Sequence, residues 1–354
     1  MRKLLLCALM CALMLLGAAM AEEAVLDLTG PQSTTLAEVS AKIAEAGEIT
    51  EVNLTGVDMP LNDRRALVKD FPDIHFRWTL DVFGVKVSSE DKSLDLYGHH
   101  VNSISKLMNY LDCLPGLEKV LMYHNYATIQ EKEQLFYSYP DIFFGFRIPL
   151  QNLYDIRTEV ISFSTLKNGS PPYVRSEQLW WVKMCPNLKA LDLGHNSIKS
   201  LDWIADAPKL KVLILACNSI SDLTPLANQT ELEYLELFIN DITDISPLAN
   251  LKQLKDLNLC FNNISDVTPL YDLPNLERLW LTMNQDIPQE QIDKLYELYP
   301  DAEIVLRSNG ATGHIITDEG NLPGWRTHPR YFTIYEIFNY GGFYDWDDEL
   351  PTHK

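Results

Sequence analysis

The sequence predicts an α/β repeat fold. Three observations predict it. An apolar frame recurs every 22 residues from Leu188, a short turn-forming leg separates successive copies, and a looser strand-helix alternation stands before and after them. Periodicity of this kind outranks local propensity, because units too small to bury their own apolar faces must stack on one another.

The chain opens Met1-Arg2-Lys3, runs apolar from Leu4 to Ala19, and reaches Ala19-Met20-Ala21 before Glu22-Glu23. A basic start, a short apolar run and a small-x-small site mark residues 1–21 as a signal peptide cut after Ala21; the run is short for a membrane span and exits into acidic residues. Cys7 and Cys11 do not stand in the Leu-small-small context of a lipoprotein. The expected location is therefore secreted or extracellular, associated with the cell envelope by means the sequence does not name, with no membrane span after cleavage. The chain carries 29 basic and 49 acidic residues, a net charge of −20, and loses Arg2 and Lys3 with the leader. Such a surface repels phosphate backbones and anionic lipid, which argues against nucleic acid as a partner and keeps an exported protein soluble. Cys113, Cys185, Cys217 and Cys260 contain no C-x-x-C pair, so they read as free thiols rather than a disulfide scaffold.

Residues 22–175 carry the looser alternation. Leu26-Asp-Leu-Thr-Gly30 and Leu94-Asp-Leu-Tyr-Gly98 begin strands. Glu51-Val-Asn-Leu-Thr-Gly56 leads to Phe71-Pro72-Asp73, and Leu117-Glu-Lys-Val-Leu121 leads to Tyr139-Pro140-Asp141. Each pair brackets an amphipathic helix that the proline ends. Strand-helix alternation favours parallel pairing. The region reads as degenerate α/β repeats or an N-terminal cap; the alternative is a separate small α/β domain. Leu166 to Pro172 is a loop by composition.

Residues 176–307 hold the regular repeats. Five copies of L-x-x-L-x-L-x-x-N start at Leu188, Leu210, Leu232, Leu254 and Leu276. The L-x-L core is a short strand with its leucines inward. Asn196, Asn218, Asn240, Asn262 and Asn284 fall at one repeat position, and an amide that both donates and accepts suits a ladder where the chain leaves the strand. In Asp222-Leu-Thr-Pro-Leu226, Asp244-Ile-Ser-Pro-Leu248 and Asp266-Val-Thr-Pro-Leu270, Thr224, Ser246 and Thr268 are expected N-caps of short helical turns, with proline at the first helical position. The pattern from Leu188 to Asn284 resembles the 22-residue leucine-rich repeats of the internalin and protein-phosphatase-regulator type. The resemblance implies a right-handed solenoid with a parallel sheet on its concave side, and protein recognition by that side.

Residues 308–354 are a C-terminal cap and acidic tail. A solenoid's last core layer needs a lid, and Trp325, Tyr331, Phe332 and Phe338 are the candidates. The tail resembles the ends of secreted repeat proteins of gut-type Gram-positive bacteria. Leu350-Pro351-Thr352-His353 lacks the context of a wall-sorting signal.

No catalytic motif stands out. H-E-x-x-H, Gly-x-Ser-x-Gly, a P-loop and a dinucleotide fingerprint are absent, His99-His100 stands alone, and Asp345-Trp-Asp-Asp-Glu349 lacks calcium-loop spacing. The expectation is no metal, no cofactor and no enzymatic activity. The informative positions lie between the leucines, facing away from the core. There Asp192, Ile214, Tyr234, Glu236, Phe238, Asp256, Arg278 and Trp280 fall together, with Ile239 and Phe261 just past their strands. Large rings beside charges on an exposed face are the signature of an interface. The expected function is binding of a protein or peptide on that face. The alternatives are a self-associating surface component and a glycan-binding or carbohydrate-active protein. The patch could also be covered by the N-terminal lobe, the tail or a second copy.

Overall fold

The structure, a computed structural model, describes residues 24–151, 154–165, 173–207, 210–318 and 320–340. The leader (1–21), the loop 166–172 and the acidic end with Asp345–Glu349 and Leu350–His353 lie outside them. The chain divides into two compact units, residues 1–146 and 147–354, so the expected region 22–175 spans the division.

The first unit repeats one plan twice. Strands β1 (Val25–Asp27), β2 (Glu51–Asn53) and β3 (His75–Arg77) pair in parallel, joined by helices α1 (Leu36–Ala46) and α2 (Leu61–Asp70). Strands β6 (Ser93–Asp95), β7 (Lys119–Leu121) and β8 (Phe143–Gly145) do the same with α3 (Ile104–Leu111) and α4 (Ile129–Ser138). Between the two lies the hairpin β4 (Thr79–Val82) and β5 (Val85–Ser88), whose two-residue turn uses left-handed Phe83 and Gly84. Capping boxes Thr35–Glu38 and Thr128–Glu131 start α1 and α4. The aromatic-Pro-Asp stops share one backbone geometry: Phe71 and Tyr139 have φ of −129° and −133°, and each donates its N–H to the carbonyl four residues back. The following proline cannot extend the helix, which turns the chain into its next strand.

The second unit opens with the hairpin β9 (Arg147–Leu150) and β10 (Tyr154–Arg157). It then builds a seven-stranded parallel sheet in strict chain order: β11 (Ser162–Ser164), β12 (Ala190–Asp192), β13 (Val212–Ile214), β14 (Tyr234–Glu236), β15 (Asp256–Asn258), β16 (Arg278–Trp280) and β17 (Glu303–Val305). Phe163, Leu191, Leu213, Leu235, Leu257, Leu279 and Ile304 stand in one register across it. One strand per 22-residue unit, all parallel, with 3₁₀ turns on the return legs, is the leucine-rich repeat solenoid.

The five asparagines stitch its repeats together. Asn240 accepts the N–H of Ile220 at 3.0 Å and donates to the carbonyls of Leu215 and Leu237 at 3.0 Å each. Asn218, Asn262 and Asn284 repeat this pattern, and Asn196 accepts from Val174 at 2.8 Å. The return legs differ from expectation in one respect. Thr224, Ser246 and Thr268 are the first helical residues, not the caps; their N–H groups donate to Asp222, Asp244 and Asp266 two positions earlier at 2.8, 2.8 and 2.9 Å. An aspartate at that offset forms the turn by itself, freeing the hydroxyl position to begin the helix.

After β17 the chain forms the hairpin β18 (Ile315–Thr317) and β19 (Gly320–Leu322), a 3₁₀ turn at Trp325–Thr327, and helices α5 (Gln289–Leu298) and α6 (Pro329–Tyr340) flank this stretch on either side in sequence. Tyr299 ends α5 with a φ of −127°, the third use of the aromatic stop.

Candidate functional site

The strand faces away from the leucine core carry three columns of side chains. The first is Ala190, Val212, Tyr234, Asp256 and Arg278; the second is Asp192, Ile214, Glu236, Asn258 and Trp280; the third is Gly194, Ala216, Phe238, Cys260 and Thr282. The columns bring the expected rings and charges together, but not in solvent. Asp192, Ile214, Tyr234, Glu236, Phe238, Asp256, Arg278 and Trp280 are all buried, because the chain's own C-terminal segment lies over them. The expectation of an open binding face is corrected on this point: the covering group is the tail. The same segment corrects the expected lid. Trp325 and Phe338 are buried against the sheet face, Tyr331 is half-buried, and Phe332 is 55% exposed and covers nothing.

Trp325 is the centre of this contact. Its ring lies 5.7 Å from both Tyr234 and Trp280, and the Arg278 guanidinium stacks 4.0 Å above it. Its indole N–H donates to Glu236 Oε1 at 2.8 Å and to the Tyr234 hydroxyl oxygen at 2.9 Å. Burial pushes the Tyr234 hydroxyl well above its ordinary pKa, so it stays protonated and donates to Glu236 in turn. Arg330 is buried beside them. It meets Asp256 at 2.7 Å and also pairs with Glu277, while Arg278 pairs with Glu303 at 3.2 Å. Ile334, Ile337 and Phe338 of α6 complete the apolar cover. A truncated Trp of this kind costs about 3–5 kcal/mol, so this segment is a structural part of the unit.

Two features of the face remain accessible. The first is a ridge. His195, Cys217, Ile239, Phe261 and Met283, one per repeat, all hold left-handed backbone with φ between 54° and 58°. The Asn ladder fixes this turn, and it swings each side chain off the sheet edge. His195, Ile239 and Met283 are exposed, with Ile239 at 44% and Met283 at 64%; Cys217 and Phe261 are half-buried. A β-branched residue such as Ile239 is rarely held there, at a cost of order 1–2 kcal/mol. The second is a cavity of about 370 Å³ at the amino-terminal end of the sheet. Its floor includes Asp192, Gly194, Ala216 and Glu236, and its other side includes Arg326 and Tyr335. The third column is small there, with Gly194 and Ala216, and Phe238 of the next strand forms a wall.

The sequence reading named Trp325 as a lid without its partners and did not single out Ser164, Arg326 or Arg330. The available signal was complementarity: an aromatic, basic segment at 325–332 and an aromatic, acidic strand face. Among the described residues there is no grouping of His, Cys, Asp and Glu that would hold a metal ion, and no helix long and apolar enough to cross a membrane. His99 instead bonds through Nδ1 to the Phe83 carbonyl at 3.1 Å.

Comparison with known proteins places the repeats. Residues 186–228, 230–271 and 252–297 match the family described as Leucine Rich repeats (2 copies). No curated protein sequence matches the chain. Among solved structures, internalin C2 of Listeria monocytogenes is 25% identical over 58% of this chain and 75% of its own, with a TM-score of 0.35. An internalin F of the same organism is 21% identical, covering 73% and 74%, with a TM-score of 0.36. A leucine-rich repeat protein of Leptospira interrogans is 19% identical, covering 74% of each chain, with a TM-score of 0.36. Residues 186–297 are thus leucine-rich repeats, and repeats of this class generally mediate protein–protein interaction and are typically non-enzymatic.

Proposed function

We propose that this leucine-rich repeat chain is a secreted or cell-surface module that binds a protein or peptide along the ridge beside its sheet, not on the strand faces themselves. One observation carries the reading: five successive repeats hold left-handed backbone in register and set Ile239 and Met283 out in solvent. Exposed apolar side chains on a rigid, repeated backbone are suited to a partner, since ordering them costs the free protein nothing further. The basic-apolar leader supports export. Three of the free thiols do not oppose it: Cys113, Cys185 and Cys260 are buried, and burial pushes each up to about 12, which keeps them inert.

The test is affinity capture with mass spectrometry from the organism's envelope and culture medium, using the wild-type chain and an Ile239→Glu/Met283→Glu double variant. Both substitutions are at exposed positions and leave the fold in place. A partner captured by the wild type and lost by the variant supports the reading; equal capture by both removes it.

A further inference from the structure

Three carboxylates are buried on the covered sheet face, and only one of them is held in an ion pair. Asp256 has Arg330 at 2.7 Å and Arg278 at 3.8 Å. Asp192 and Glu236 stand two strands apart in one column, about 10 Å by strand spacing, with Ile214 between them. Among the described residues both have neutral donors only. Asp192 accepts from the Ser164 hydroxyl at 2.8 Å and the Gly194 N–H at 3.0 Å. Glu236 accepts from Tyr234 and Trp325, both on Oε1. No donor meets Oε2, and Glu236 lines the cavity. Arg326 lies at the same cavity but forms no ion pair with either acid.

A buried carboxylate without an ion pair is unfavourable; Asp256 has two such partners, while Asp192 and Glu236 feel only the more distant charge of Arg326. The cavity between them has acid on its floor and apolar walls at Ile214, Phe238, Ile334 and Phe338, and its volume is that of a small-ligand site. We infer that this cavity binds an organic ammonium group, the charge resting between Asp192 and Glu236 and the apolar body lying against Ile214, Phe238 and Ile334. The inference is independent of the ridge, since a free amine can enter whether or not a protein follows. It is consistent with the way burial lifts Asp192 to about 6 and Glu236 to about 7. The titratable groups facing the pair are Tyr234 and His195 from the sheet and Arg326, Tyr331 and Tyr335 from the closing segment. Arg326 is the group a cation competes with.

The test titrates the full chain by calorimetry with pentylammonium chloride, and with 1-pentanol as its neutral counterpart. The amine binds about tenfold or more tightly than the alcohol. Glu236→Gln and Asp192→Asn, which keep the hydrogen bonds, weaken the amine by about tenfold and leave the alcohol unchanged. Arg326→Ala strengthens the amine. Gly194→Val abolishes both ligands, since a Cβ there lies 3.3 Å from Asp192 Oδ1 and 3.6 Å from Ile214 Cγ2, inside the cavity; Ala216→Leu is a second plug should that variant unfold. A peptide with one internal lysine, run beside its acetylated form, separates the sources. Binding of the lysine form alone assigns a protein side chain, and binding of pentylammonium without the peptide assigns a free amine. Equal affinity for amine and alcohol, amine binding untouched by Glu236→Gln, or silence from both amine and peptide overturns the inference.

Discussion

The indole N–H of Trp325 and the carboxylate of Glu236 meet at 2.8 Å across 89 residues of sequence. That bond ties the last described segment of the chain to the middle of the repeat sheet, beneath a guanidinium and between two other rings. Trp325→Ala removes the ring and the donor together. The expected loss is about 3–5 kcal/mol of unfolding free energy, measured by urea denaturation. Tyr234 and Trp280 then reach solvent, so binding of a hydrophobic dye should rise at native conditions. A variant as stable as the wild type and silent to the dye would mean that the segment only rests on the sheet.

The buried acids make stability depend on pH in an uncommon direction. Burial raises Glu236 to about 7 and Asp192 to about 6 in the folded chain, above the ordinary carboxylate values they regain on unfolding. The folded state therefore holds protons that the unfolded state releases, and stability falls as pH rises from about 4 through 7. For Glu236 the full effect is on the order of 3 kcal/mol. Glu236→Gln removes this contribution, so its stability curve between pH 5 and pH 8 should be flatter than that of the wild type. Parallel curves would contradict the assignment.

The ladder should fail where it is interior. Asn240→Ala strands the N–H of Ile220, at about 1–3 kcal/mol for one buried group left without a partner, while the Leu215 and Leu237 carbonyls keep their bonds from Asn218 and Asn262. Thermal unfolding compared with an exposed control such as Lys199→Ala checks this, and a shift no larger than that of the control would refute it.

Ile239→Asn separates strain from recognition. Asparagine tolerates the left-handed backbone that isoleucine resists, so the variant should gain roughly 1 kcal/mol in stability. The same change removes an exposed apolar side chain from the ridge, and partner capture should fall. Gain of stability with unchanged capture would detach the ridge from binding.

Thiol labelling reads burial directly. Cys217 is half-buried at the ridge, and Cys113, Cys185 and Cys260 are enclosed. Under native conditions a maleimide should modify Cys217 first, and the other three only after urea is added. Mass spectrometry of the labelled chain decides the order.

The parts of this molecule that could be read from sequence are those set by local repetition. The frame from Leu188 to Asn284 places each strand, the inward leucines and the asparagine ladder, because every 22-residue unit makes its contacts with the units beside it. The aromatic-Pro-Asp stops at Phe71 and Tyr139 were legible for the same reason: proline acts on its own neighbours. The composition of the strand face was legible too, since alternation fixes which side each residue occupies. Its cover was not. Asp256 and Arg330 are 74 residues apart and belong to segments with no common period, and nothing in either segment sets the register between them. The cavity was half legible, in that Gly194 and Ala216 are plainly the small members of their column, but a space needs its roof before it is a pocket.

The order of the sheet has a consequence for how the chain matures. Each strand can add to the one made just before it, so assembly can proceed as residues appear. The roof arrives last. Until Trp325 has emerged, a growing chain shows Tyr234 and Trp280 to whatever surrounds it, and during that interval the protein is sticky in a way the finished molecule is not. Closure from the C-terminal side ends that interval, and a chain shortened before Trp325 never leaves it.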